Sequence, residues 1–137
     1  SGAAAPATVV LVSFDGFRHD YLDRPLPLPN FRALAARGVR ARALLPSWPA
    51  KTFPNHYTLV TGMRPGRHGV VANAFWDPAL GRGFTLRDSL AQRDPAWWGG
   101  EPLWVAAARA GVTTAAAFWP GSEAPIAGTH PATWMRY

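Results

Sequence analysis

The chain has 137 residues, 48% hydrophobic, 12% aromatic and 16% charged, which suits one folded domain and excludes disorder throughout. Its longest apolar run, Thr8-Val9-Val10-Leu11-Val12, falls far short of the ~20 residues of a membrane-spanning helix, and the lack of cysteine removes disulfide scaffolds and thiolate chemistry. A net charge of +6 and a pI of about 11.1 raise nucleic-acid binding, but the 14 basic residues are scattered singly and Lys51 is the sole lysine, a pattern that suits an anionic substrate better than a stable nucleic-acid complex.

Residues 1–7 are small and read as a flexible segment, like the stretch after a signal-peptide cleavage site, so a periplasmic or secreted location is expected. Thr8 to Phe14 is a continuous β-branched and apolar run, predicting a strand buried on both faces of a parallel sheet and ending at the Asp15-Gly16 junction. Phe31 to Gly38 reads as a helix, with Asn30 as N-cap, Phe31, Leu34 and Ala35 on one face, and Gly38 closing it. Val39 to Leu45 alternates apolar residues with arginine, the period of a half-exposed strand.

Pro54 to Gly62 predicts a short helix, Arg64 to Gly83 an aromatic loop, and Pro102 to Gly111 a helix apolar at Leu103, Val105, Ala106 and Ala110. Val112 to Phe118 predicts a last strand, followed by the turn-rich Pro120-Gly121-Ser122-Glu123. The order β-α-β-α-α-β implies an α/β fold whose mainly parallel sheet is flanked by helices. Three strands and three helices are a thin core for seven tryptophans, so residues 8–137 are expected to be the N-terminal portion of a longer domain.

Three places carry candidate chemistry. Asp15 follows a predicted buried strand, at the carboxyl edge where open α/β sheets bind ligands; it reads either as a metal ligand or as an Asp-Gly turn former. Thr52 sits where a helix begins, beside Lys51, in surroundings that favour a phosphoryl oxygen or a threonine alkoxide; equally, it reads as an N-cap. Asn73 can offer an amide to an oxyanion without titrating, or simply form a turn.

The stretch Val10-Leu11-Val12-Ser13-Phe14-Asp15-Gly16-Phe17-Arg18 resembles the opening motif of the nucleotide pyrophosphatase/phosphodiesterase (type I phosphodiesterase) family, in the alkaline phosphatase superfamily. The resemblance continues in family order through the segments Pro46–Gly62, Arg64–Asn73, Gly100–Val105 and Phe118–Glu123, covering most of the chain from Val9 onward. It implies an alkaline-phosphatase-like fold and an enzyme hydrolysing phosphodiester and pyrophosphate bonds in nucleotides. Thr52 matches the family nucleophile, which forms a covalent nucleotidyl intermediate on the way to a nucleoside 5′-monophosphate. Asp15 and Thr52 match metal ligands, and Asn73 matches the residue that hydrogen-bonds a non-bridging phosphate oxygen. Phe53 resembles the aromatic packed on the base, Tyr137 looks like its partner on the other face, and Lys51 resembles a lysine near the phosphate.

The resemblance also implies two Zn2+ ions, whose remaining ligands are not among the matched residues of this chain. Zinc prefers about four ligands, so Asp15 and Thr52 cannot hold two ions alone, and the isolated chain is expected to hydrolyse diesters very poorly. His19, His56, His68 and His130 read as surface or hydrogen-bonding histidines rather than as substitutes. The alternatives are another hydrolase of the superfamily, a phosphomonoesterase or phosphonate hydrolase, and a non-catalytic binding domain. The sulfatase pattern is disfavoured, because Ser47-Trp48-Pro49-Ala50-Lys51 lacks its arginine.

Overall fold

The computed structural model describes residues 7–137, so all but the last residue of the expected flexible segment 1–7 lies outside the described residues. The chain divides into two compact units, one running up to Leu44 and the other spanning Leu45–Tyr137.

In the first unit a turn reverses the chain at Asp15-Gly16, with the Phe17 N–H donated to the Phe14 carbonyl at 3.3 Å. Gly16 stands at φ +69°, the conformation that the third position of such a turn demands. A single 3-10 turn at Tyr21–Asp23 leads to helix α1, Pro29–Arg37. Helix α1 starts one residue before the expected cap: Leu28 takes the N-cap position, and Pro29 opens the helix where a missing N–H costs nothing. Gly38 closes it as expected. Phe31 packs edge-on to Phe14 and stacks on Phe17, at centroid distances of 5.1 and 5.3 Å, whereas Leu34 stays exposed.

Two expected strands do not form. Neither Thr8–Phe14 nor Val39–Leu45 belongs to any strand, and their side chains are exposed, Val9 at 89%. An apolar run records a preference for burial, but a strand also needs a hydrogen-bonding neighbour, and no described strand pairs with either run.

The second unit holds the core. Helix α2, Thr52–Thr61, ends in Gly62, whose left-handed conformation (φ +67°) lets its N–H reach the Thr58 carbonyl. The expected loop at Arg64–Gly83 is in fact structured. It contains a single-turn helix α3, Pro65–His68, strand β1, Ala74–Asp77, and the first residues of strand β2, Arg82–Thr85. These strands form an antiparallel hairpin with Phe75 opposite Phe84. Asp77 shapes its tip: the Oδ1 accepts the Ala79 and Leu80 N–H groups.

Helix α4, Ser89–Arg93, is capped by the Asp88 carboxylate, and helix α5, Leu103–Arg109, turns Trp104 and Val105 inward. Leu103, expected on the buried face, is exposed. Strand β3, Ala115–Ala117, shortens the expected last strand to three residues and pairs in parallel with strand β4, Thr133–Met135.

Phe53, Tyr57, Val60, Phe84, Trp97, Trp98, Trp104 and Val105 build the core. Tyr57 meets Trp98 edge-on at 5.0 Å and Phe84 meets Trp97 at 5.6 Å, geometries worth ~0.5–1.5 kcal/mol per pair beyond the area buried.

Candidate active site at the start of helix α2

Helix α2 presents Thr52 at its first position, after Lys51 in extended conformation as N-cap. The loop before it, Ser47 to Lys51, is held by one side chain a turn into the helix. The Asn55 Oδ1 accepts the Ser47 N–H at 2.7 Å, and its Nδ2 lies 3.2, 3.0 and 3.0 Å from the carbonyls of Ser47, Pro49 and Lys51. Asn55 was legible only as part of a motif; the available signal was an amide one helical turn after the N-cap.

The second link joins residues twenty apart. The Asn73 Oδ1 accepts the Phe53 N–H at 3.0 Å, satisfying an amide that the helix start leaves without an intrahelical partner. A backbone N–H can only donate, so the oxygen of the Asn73 amide must face helix α2, and its two N–H bonds are left as donors. The Asn73 main-chain carbonyl accepts the Leu86 N–H at 2.9 Å, fixing the same residue to the hairpin.

Phe53 is 0% exposed, facing Phe84 and Trp98 at 5.9 and 6.1 Å. Tyr137, 50% exposed beyond the carboxyl end of strand β4, meets the Phe53 ring at 4.9 Å and 87°. The two rings lie edge to face with centroids 4.9 Å apart, so a base between them requires the rings to move apart as well as to turn.

Three of the four histidines are engaged elsewhere. His68 is fully buried; its Nδ1 accepts the Val70 N–H, so the neutral ring carries its proton on Nε2, 3.0 Å from the Thr58 hydroxyl. Desolvation holds the His68 pKa below its usual value. His56 donates from Nδ1 to the Thr52 carbonyl at 2.8 Å, and His130 stacks on Trp134 at 5.5 Å. Burial also raises the pKa of the Tyr57 hydroxyl, which finds no hydrogen-bond partner.

Thr52, Phe53, Asn73 and Tyr137 are therefore brought together in one unit, while Asp15 stands in the other, exposed in its turn. Asp15 and Thr52 supply two oxygen donors, against the ~8 that two four-coordinate zinc ions prefer. Among the described residues, no three His, Cys, Asp or Glu side chains gather closely enough to hold a metal ion. The residues present do not make up a pair of zinc sites.

One acid escaped the sequence reading as a separate candidate. Glu123 is 3% exposed, and its Oε1 accepts the Tyr137 N–H at 2.9 Å. Its signals were its place at the end of the Phe118–Glu123 family match and its being the one charged residue of that turn.

Residues 9–137 match the model of the type I phosphodiesterase / nucleotide pyrophosphatase family. The chain belongs to that family. An uncharacterized pyrophosphatase/phosphodiesterase of Schizosaccharomyces pombe is 48% identical over 126 residues, 91% of this chain and 26% of that protein. Ectonucleotide pyrophosphatase/phosphodiesterase family member 3 of Bos taurus is 44% identical over 130 residues, 94% of this chain and 15% of that protein. Venom phosphodiesterase 2 of Crotalus adamanteus is 42% identical, covering 94% of this chain and 16% of its own length.

Among solved structures, murine ectonucleotide pyrophosphatase/phosphodiesterase 5 aligns with a TM-score of 0.84 at 40% identity, over 91% of this chain and 33% of that one. An inactive threonine-to-alanine variant of the murine protein, in complex with AMP, aligns equally well at 39% identity. The likeness establishes the expected α/β, alkaline-phosphatase-like fold class, of which the parallel pair β3 and β4 is a part. The chain spans about a quarter or less of the length of these curated relatives.

Proposed function

We propose that this chain carries the nucleophile of a phosphodiesterase that cleaves nucleotide phosphodiester and pyrophosphate bonds. The observation that carries the reading is the Asn73–Phe53 hydrogen bond, which holds an amide donor beside the helix start bearing Thr52. The Thr52 hydroxyl gives up its proton as its Oγ attacks phosphorus; the bond to the leaving alcohol or pyrophosphate breaks with its electron pair on the leaving oxygen, which takes up a proton from solvent. Water then attacks phosphorus, losing a proton, displaces the Thr52 oxygen, which regains one, and releases a nucleoside 5′-monophosphate.

The positive end of helix α2 and the Lys51 ammonium lower the cost of negative charge at Thr52. The Asn73 Nδ2 donates to a non-bridging phosphate oxygen, and Phe53 and Tyr137 flank the base. Asp15 and Thr52 would each donate to a metal as the family resemblance implies, but this chain's own described residues do not complete a zinc site. Support comes from a relative that an alanine in place of threonine leaves inactive, and that is described with AMP bound. The relatives named as ectoenzymes and venom enzymes support a location outside the cytoplasm.

The test is hydrolysis of 4-nitrophenyl thymidine 5′-monophosphate by the full natural protein that carries this chain, supplied with Zn2+. Thr52→Ala should abolish turnover, and a rapidly quenched wild-type reaction should carry a nucleotidyl adduct on Thr52. Full activity in Thr52→Ala overturns the reading. The isolated 137-residue chain should be inactive, and Thr52-dependent turnover by it would refute the need for outside donors.

A further inference from the structure

Buried carboxylates are costly unless a partner compensates them, and the Glu123 carboxylate is compensated asymmetrically. Its Oε1 accepts the Tyr137 N–H at 2.9 Å. Its Oε2 has no hydrogen bond and lies 3.7 Å from the Arg93 Nε, itself buried without a hydrogen-bond partner. A long ion pair of this kind adds little rigidity, so the bond to Tyr137 is the directional interaction of this side chain.

The turn that carries Glu123 is tied to helix α2. The Trp119 indole donates to the His56 carbonyl at 3.1 Å, and the Ser122 N–H and hydroxyl both donate to the Trp119 carbonyl, at 3.0 and 2.8 Å. Gly121, at φ +90°, passes so near the Trp98 and Tyr57 rings that a Cβ would stand 3.0–3.1 Å from them. Phe118, where the chain leaves strand β3, takes φ +56°, which a bulky residue adopts only when its surroundings impose it. The turn is thus a rigid bridge from the nucleophile helix to the end of strand β4.

We propose that Glu123 is a positioning residue that sets selectivity for nucleotides, holding the Tyr137 backbone so that its ring stands at the base site relative to Thr52. The proposal rests on the reading of Tyr137 as a base contact. Its test compares two substrates in the full natural protein: 4-nitrophenyl thymidine 5′-monophosphate, and methyl 4-nitrophenyl phosphate, which has no base.

Base stacking and a charge-assisted hydrogen bond are each large enough that Glu123→Ala should raise KM for the nucleotide roughly tenfold. The kcat on both substrates and KM for the methyl ester should change less than about twofold on the same reasoning. Glu123→Gln keeps an amide oxygen for the Tyr137 N–H and should restore most of the nucleotide KM. If Glu123→Ala does not fold, Glu123→Asp, which shortens the reach by one methylene, serves in the same comparison. Equal losses on both substrates, or no rescue by Glu123→Gln, would overturn the positioning role while leaving the phosphodiesterase reading intact. A wild-type protein inert towards both esters would instead overturn that reading, and this proposal with it.

Discussion

Asn55 offers the sharpest test of how the loop before helix α2 is held. The residue is half-buried, and four backbone groups lie within hydrogen-bond reach of its amide, but the Nδ2 has only two hydrogens. At most three bonds count fully, and at ~0.5–1.5 kcal/mol each Asn55→Ala should cost about 1.5–4.5 kcal/mol. The lower half of that range is expected, since water can reach part of the vacated site. Asn55→Asp keeps the oxygen that receives the Ser47 N–H but sets a carboxylate against three carbonyls at 3.0–3.2 Å.

The substitution to Asp should therefore be at least as destabilising as that to Ala at pH 8. The carbonyls raise the pKa of the introduced carboxyl in the folded state, so the folded form binds the proton more readily. The deficit relative to Asn55→Ala should accordingly shrink as the pH falls through that raised pKa. Urea denaturation of the three proteins at pH 8 and pH 5 measures all of this. An Asn55→Asp protein within about 0.5 kcal/mol of wild type at pH 8 would refute the argument, because a surface asparagine behaves that way.

Asn73→Asp retains the acceptor for the Phe53 N–H and loses both amide donors, so it should fold normally and lose about 10²–10³ in kcat on the nitrophenyl nucleotide. Gly121→Ala imposes a strained φ of +90° and drives a methyl into Trp98 and Tyr57, which should cost ~2–4 kcal/mol in denaturant unfolding. Burial lowers the His68 pKa below its ordinary 6.5, so the unfolded chain takes up this proton first. The stability it contributes is full above that ordinary value and is lost as the pH falls through it towards the depressed folded value. The urea midpoint should drop from pH 7.5 to 5.5, and His68→Gln should flatten that slope; an unchanged slope would exclude His68 as its source.

Helices α1, α2 and α5 were legible because their ends are written locally. Pro29, Gly38 and Gly62 mark starts and stops through chemistry that needs no distant partner. Of the strands only β3 was, inside the expected Val112–Phe118, because a ladder is a property of two segments. Thr8–Phe14 has the composition of a buried strand and pairs with nothing described, whereas the plain Ala115–Ala117 pairs with Thr133–Met135. The hairpin was hidden for a different reason: its turn lacks an Asn-Gly or Asp-Gly signature, although Asp77-Pro78 and Gly81 between Phe75 and Phe84 could have revealed it. Thr52 and Asn73 were nominated separately by residue type and through family motifs. That the Asn73 oxygen would be consumed by the Phe53 N–H, orienting the amide, is visible only in three dimensions.

The hairpin divides labour between its two ends. At its base, Asn73 is fastened twice, by its carbonyl to Leu86 and by its side chain to the start of helix α2. At its tip, Asp77 folds the Pro78–Gly81 turn on itself, with every hydrogen bond found there kept within the turn. Changes in length or composition at the tip can therefore be absorbed locally. A single-residue slip at the base would draw the amide away from helix α2, making the first residue of the hairpin far less tolerant of drift than its apex.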